Sequence, residues 1–376
     1  MKKKIAFLTS QFNEVKSGPG RFTEYLKSLE FENLDIHFFS EQIKQETSAE
    51  HPVLIPKWAQ KFPLTSFMRA LFFNLAVRKK DRELSFDYIL AADYTMAMFL
   101  DRNLLRKTAV MVNDDNFLLI YSKEGRRGNI SLRRLWSRKL GFFLERNAVR
   151  SSAFSVANSL YTKHLIEKMY KMPPEEVVLL YKAVDLSWFE FTDRAVRPPR
   201  RFLFVKNDWK RGGLDLILSA FSQLSFQNEI QLIIAGISPE EESQINQLIV
   251  ETGFKGKAEV VGLLNREKLK TEFQQADVFL NFSRQEALGV SCLEAMSSGL
   301  PVLASDAGGL KEVLRNGEAG FMIPAGDVAA LVGCLNDINA HPEKLQVKAK
   351  AAITHVETFS VQRLRINMDQ LFPDKN

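Results

Sequence analysis

The chain has 376 residues, 45% of them hydrophobic and 26% charged, which is enough apolar material for two domains with cores of their own and excludes a disordered or fibrous chain. Lys plus Arg outnumber Asp plus Glu by 51 to 45; the net charge of +6 suits a phosphate-rich ligand or an anionic membrane surface, and an ordinary solvated surface equally. The 2 cysteines, Cys292 and Cys334, form no Cys-x-x-Cys pair and argue against a disulfide framework or a zinc site, and for a reducing compartment.

Met1-Lys2-Lys3-Lys4 leads into a run at 5–9 that is too brief for the apolar core of a signal peptide and reads as a first strand. No stretch approaches the roughly 20 apolar residues of a spanning helix, so the chain is expected in the cytoplasm or on the inner face of a membrane. Further strands are expected at 36–39, 88–92, 109–112, 155–158 and 177–180, separated by helical patterns at 22–29, 67–79, 132–149 and 161–169. Such alternation predicts a parallel sheet with helices on both faces. The polar stretch 193–201, with Pro198-Pro199 among charges, predicts a domain boundary. A second series of strands follows at 202–205, 231–235, 258–261, 278–281 and 302–304. The expected fold class is α/β: two Rossmann-like, doubly wound parallel-sheet domains, 1–193 and 201–358, facing each other across a cleft, with a final helical segment at 359–376.

Four segments carry candidate chemistry. Ser17-Gly18-Pro19-Gly20-Arg21 precedes a helix, where glycine admits a close ligand and the helix N-terminus favours phosphate; an ordinary turn would look the same. Lys206-Asn207-Asp208-Trp209-Lys210-Arg211-Gly212-Gly213 follows a strand and reads as a phosphate-binding loop or as a solvated basic one. Asp93 ends one strand of the first domain, and Asp114 with Asp115 ends the next. The run Glu286-Ala-Leu-Gly289-Val290-Ser-Cys-Leu-Glu294-Ala-Met-Ser-Ser-Gly299, followed by Pro301, places two carboxylates on either side of a helix start. The first N–H groups of that helix lack partners and suit an anion, and Gly299 is a good stop signal.

This last run resembles the Glu-x7-Glu signature of retaining GT-B glycosyltransferases, the family that includes sucrose synthases, phosphatidylinositol mannosyltransferases and bacterial lipopolysaccharide core glucosyltransferases. Asp306-Ala-Gly308-Gly309-Leu-Lys-Glu312-Val313 and Asn316-Gly-Glu-Ala-Gly320-Phe321 match the two segments that follow it in that family. The resemblance is dense in the second half of the chain and thin in the first. It implies that Glu286 contacts the donor sugar, that Glu294 binds the nucleotide ribose, and that the Gly289-Val290 backbone holds the diphosphate. It also implies that the turn at Gly20 faces the diphosphate across the cleft and that the final helix crosses back to the first domain. Where the family has an Arg at the strand end and a Lys before the helix glycine, this chain has Asn207 and Gly212. The phosphate role is therefore carried to Lys210 and Arg211 of the same loop, Arg211 first, because a guanidinium binds two oxygens at once. The core glucosyltransferase branch carries an Ala-Ala-Asp that Asp93 matches, which makes Asp93, with Glu286, the candidate beside the reacting centre; Asp114 is its substitute. No His stands at these strand ends, and Tyr181-Lys-Ala-Val-Asp185 departs from the family's Pro-Asn-Gly-Val-Asp.

The implied activity is hexosyl transfer from a nucleotide-diphosphate sugar, UDP preferred by likeness to that branch, to a hydroxyl of a cell-envelope glycan or glycolipid such as lipopolysaccharide core. No Asp-x-Asp motif is present, and neither a metal nor a cofactor beyond the nucleotide-sugar co-substrate is expected. The rivals are a nucleotide-sugar epimerase or phosphorylase of the same fold and a non-catalytic glycan-binding subunit. A dinucleotide oxidoreductase is disfavoured, since neither domain supplies Gly-x-Gly-x-x-Gly. A basic segment from Lys123 to Arg150, including Arg126, Arg127, Arg133 and Arg134, interleaves with Leu132, Trp136, Phe142 and Phe143. It reads equally as a surface for anionic lipid and as a core helix with a solvated face. No recognition motif for nucleic acid accompanies it.

Overall fold

The computed structural model describes residues 2–13, 18–60, 65–113, 132–189 and 191–372. Its contacts divide the chain into two units, Met1–Lys182 joined by Val361–Asn376, and Ala183–Ser360. The first unit holds seven strands, β1 (Lys3–Leu8), β2 (Leu34–Ser40), β3 (Glu50–Pro52), β4 (Tyr88–Ala91), β5 (Thr108–Val112), β6 (Phe154–Ala157) and β7 (Val177–Leu179), in the order β3-β2-β1-β4-β5-β6-β7. The second holds six, β8 (Arg201–Val205), β9 (Gln231–Ala235), β10 (Lys257–Gly262), β11 (Val278–Asn281), β12 (Val302–Ser305) and β13 (Phe321–Ile323), in the order β10-β9-β8-β11-β12-β13. All pairings are parallel; β1 aligns Ile5 with Tyr88 of β4, and β8 aligns Phe202 with Val278 of β11.

The sequences explain the burial. β5 reads Thr-Ala-Val-Met-Val and is buried along its whole length, as a parallel strand covered by helices on both faces must be. Phe39, Phe73, Phe86, Ile89 and Val110 centre the first core, and Phe202, Phe204, Leu232, Ile234 and Leu280 the second. Helix starts are fixed by polar caps: Ser159 Oγ accepts from Thr162 N ahead of Leu160–Leu165, and Asn265 and Asp327 do the same for Arg266–Gln275 and Val328–Ala340. Two strands lie beyond the expected set, β3 and β13. Each is a three-residue edge strand, and β3 contains Pro52, which a ladder accepts only at an edge. The helix expected over 161–169 ends at Leu165 and continues as one π turn, Ile166–Tyr170.

The stretch expected to separate the domains packs into the second unit. Arg194 donates to the carbonyls of Ala276 (3.0 Å), Thr192 (3.0 Å), Ser298 (3.1 Å) and Phe273 (2.6 Å). Burial pulls its pKa down to about 10, so it stays protonated at neutral pH. The N–H groups of Arg200 and Arg201 both donate to Asp277 Oδ2 at 2.8 Å, and Val184 N donates to Phe359 O at 2.8 Å beside a bridge to Ser360. The chain then returns to the first unit. Leu364, Met368 and Leu371 of helix Val361–Leu371 are buried, and the Phe372 ring lies 5.1 Å from that of Tyr88. Asp369 accepts from the N–H groups of Glu32 (3.2 Å) and Asn33 (3.0 Å), while Lys3 Nζ donates to Phe372 O at 2.7 Å.

Replacing Arg194 by Met would leave several carbonyls without their donor. It is expected to lower the stability of the second unit by about 2–3 kcal/mol in urea titrations, with Arg194→Lys recovering only part, because one ammonium cannot span the same acceptors.

Candidate functional site

In both sheets the sequence order of strands reverses beside the first strand, between β1 and β4 and between β8 and β11. Right-handed crossovers then leave in opposite directions and open a crevice outside the carboxyl ends of those strands, the usual ligand position in open α/β sheets.

In the second unit this crevice is lined by two loops. The first, 206–213, follows β8; Asp208 Oδ1 accepts from Arg211 N and caps the turn Trp209–Gly212. The second, 282–289, follows β11. Lys206, the first residue past β8, forms an ion pair through Nζ with Oε2 of Glu286. Ser283 Oγ lies 3.4 Å from the same oxygen and donates more closely, at 2.5 Å, to Asn281 Oδ1. Gly289 caps helix Val290–Ser297 at φ 102, where a side chain would be strained and would meet Leu310 Cδ2 at 2.6 Å. Cys292 N and Leu293 N donate to Gly289 O at 3.0 and 3.3 Å, so the N–H groups of Val290 and Ser291 precede the first bond of the helix. Glu294, on the same helix, is buried at 6% exposure. Gly309 donates its N–H to Glu286 O at 3.0 Å, and a Cβ there would stand 2.4 Å from Ala287 O, so the Gly308-Gly309 segment is the floor on which the Glu286 loop rests.

The basic residues of the first loop stand in different surroundings. Arg211 directs Nε to Gln285 O at 3.0 Å and so braces one loop against the other. Lys210 is exposed, its ammonium 5.0 Å from the centroid of the Trp209 ring. Lys206 is the cation brought to Glu286; sequence reasoning passed over it although its place immediately after the central strand was the available signal.

At the carboxyl edge of the first sheet, Asp93 Oδ1 accepts from Thr95 N at 2.8 Å and from Thr95 Oγ1, capping the short helix Tyr94–Ala97. Burial, with the charges of Glu145 and Asp93, pushes the Tyr94 phenol up to about 12 and keeps it protonated. Asn113 Nδ2 donates to Ala92 O at 2.9 Å and Asn158 Nδ2 to Asn113 O at 3.0 Å, tying together the ends of β4, β5 and β6. Gly20 is buried inside the first turn of helix Gly18–Ser28. Arg126, Arg127, Asp114 and Asp115 lie outside the described residues; Arg133 and Arg134 fall on helix Leu132–Ser151, their side chains outside the description. Among the described residues no group of three or more His, Cys, Asp or Glu side chains could hold a metal ion, and no helix is long and apolar enough to cross a membrane.

Solved structures share this architecture over almost their entire length. WaaG, a glycosyltransferase involved in lipopolysaccharide biosynthesis, matches with a TM-score of 0.73 over 99% of this chain and 100% of its own, at 16% identity. The fold is GT-B. HepE of Anabaena, in complex with UDP-glucose, shares the GT-B fold with a TM-score of 0.69 over 98% of both chains, at 14% identity. Residues 190–355, nearly all of the second GT-B unit and under half of the chain, match the family of glycosyl transferases group 1. A phosphatidyl-myo-inositol mannosyltransferase of Mycobacterium leprae is 35% identical over 133 residues, 34% of each chain. The chain thus spans well under two thirds of the length of such curated relatives.

The floor beneath Glu286 can be tested by Gly309→Ala. Its methyl group would press on the Ala287 carbonyl, and the variant is expected to lose about 1–3 kcal/mol of stability in urea titrations; unchanged stability would show that the loop adapts freely.

Proposed function

We propose that the chain is a retaining, metal-independent glycosyltransferase that moves a hexose from a nucleotide-diphosphate sugar, preferably a UDP-sugar, to a hydroxyl of a cell-envelope glycan or glycolipid. One observation carries the reading: a half-buried carboxylate, Glu286, sits with Lys206 at the switch-point crevice, with Gly289 and an anion-ready helix start following in the same loop, inside the segment that matches group 1 glycosyl transferases. A nucleotide sugar has the complementary parts, namely hydroxyls for Glu286, a diphosphate for the Gly289-Val290 N–H groups and a ribose for Glu294. The UDP-glucose held by the HepE neighbour and the lipopolysaccharide role of WaaG support the choice of donor and acceptor class.

In this reading the bond from the anomeric carbon to the diphosphate breaks while the acceptor oxygen bonds to that carbon from the same face. The acceptor's proton passes to a phosphate oxygen of the leaving nucleoside diphosphate, so no separate protein base is needed. Asp93 orients the acceptor or faces the positive charge that develops on the sugar; its Oδ1 is already a helix cap, which fixes where the carboxylate stands. The first unit also offers a surface for an anionic membrane bearing a lipid-linked acceptor. On helix Leu132–Ser151, Leu140 and Phe143 are exposed at 53% and 55% beside exposed Lys139 and Arg150.

Glu294→Ala is expected to weaken binding of the free nucleoside diphosphate by ~1.5–3 kcal/mol, read by calorimetry, since the ribose is common to donor and product; undiminished affinity would remove the ribose assignment. Glu286→Gln is expected to spare the free nucleoside diphosphate and depress turnover of the full donor, and equal loss of both would overturn its role at the sugar. For the membrane, replacing Leu140 and Phe143 by Ser, or neutralising Arg126, Arg127, Arg133 and Arg134 at about 1 kcal/mol each, should cut sedimentation with anionic vesicles by tenfold or more. Wild-type protein that ignores anionic vesicles would end that part of the reading.

A further inference from the structure

The two oxygens of Glu286 are not equivalent. Oε2 receives the Lys206 ammonium, and the Ser283 hydroxyl that stands 3.4 Å from it has its single proton directed to Asn281 Oδ1 at 2.5 Å. Oε1 makes no hydrogen bond among the described residues. Lys206 is therefore the tether of this carboxylate, whose side chain is 14% exposed against 18% for the lysine. A carboxylate so far withdrawn from water requires a compensating cation.

Lys206 is also held unusually firmly for a lysine. Its N–H donates to Ala235 O at 3.1 Å. A Cβ at Gly236 would lie 3.0 Å from its backbone carbon, and one at Gly212 would lie 2.9 Å from its Cγ. Gly236 admits its backbone and Gly212 its stem, so the ammonium is delivered to one place instead of ranging over the surface as most lysines do.

We propose that Lys206 is the positioning residue of the donor site: by holding Oε2 it turns Oε1 toward the crevice to accept hydroxyls of the donor sugar. The proposal rests on the reading of this crevice as a nucleotide-sugar site, and it assigns Lys206 to the sugar end through Glu286, leaving the diphosphate to the helix start. A tethered carboxylate meets the sugar without first losing rotamer freedom.

The test is a double-variant cycle read by calorimetry with UDP, GDP, UDP-glucose and GDP-mannose as probes. Lys206→Met is expected to weaken the nucleotide sugar that wild type binds by at least about tenfold. In a Glu286→Gln background the same change is expected to cost nothing further, because the residue acts through the missing charge. Lys206→Arg, which keeps the charge, is expected to recover most of the affinity and serves as the folded control, with thermal unfolding measured on every variant. Equal losses in both backgrounds, or no loss in either, overturn the assignment while leaving the site reading intact. Wild-type protein that binds none of the four probes overturns the site reading and the assignment together.

Discussion

The reversal of strand order beside β1 and beside β8 is the constraint from which the chemistry of this chain follows. A parallel pair joined by a crossover has one favoured hand, so neighbouring strands whose sequence order reverses send their loops to opposite faces of the sheet. The loops that follow β8 and β11 therefore part at their carboxyl ends, and the side chains that come next in sequence stand around that point. Lys206 arrives from one side of that point and Glu286 from the other, eighty positions apart in the chain.

What holds these loops is a set of polar fastenings. Arg211 spans to Gln285 O, Arg284 N donates to Arg211 O at 2.9 Å, and the Arg284 guanidinium grips both oxygens of Asp215 at 2.9 and 2.6 Å. Two of the strongest cations near the site are thus engaged in holding loop to loop, and the packing of Gly309 beneath Ala287 closes the set from below. Fastenings of this kind lower the ordering entropy that binding would otherwise cost.

The fold was legible because buried parallel strands announce themselves as continuous apolar runs: β5, β9 and β11 are read directly from Thr-Ala-Val-Met-Val, Gln-Leu-Ile-Ile-Ala and Val-Phe-Leu-Asn. β3 and β13 were not, since three residues at a sheet edge carry no period. The polar stretch 193–201 looks like a linker by composition, yet the four-carbonyl grip of Arg194 is a tertiary fact that no local pattern contains. At the candidate site, the helix start at Gly289 and the loop that carries Glu286 were legible because turn chemistry is local. The division of labour among Lys206, Lys210 and Arg211 could not, because it depends on which of three neighbouring cations faces a loop eighty residues away.

The pairing of Val184 with Ser360 brings the two ends of the second unit side by side, so that unit is an insertion, and the first unit closes only when helix Val361–Leu371 docks against Tyr88 and the N–H groups of Glu32 and Asn33. During synthesis every residue of the second unit emerges before that helix does. The unit begun first is consequently the one completed last, and until then its β4 and β6 rings, Tyr88 and Phe154, lack the Phe372 side chain that covers them. A ribosome-bound chain of this kind presents a finished second unit attached to an unfinished first one.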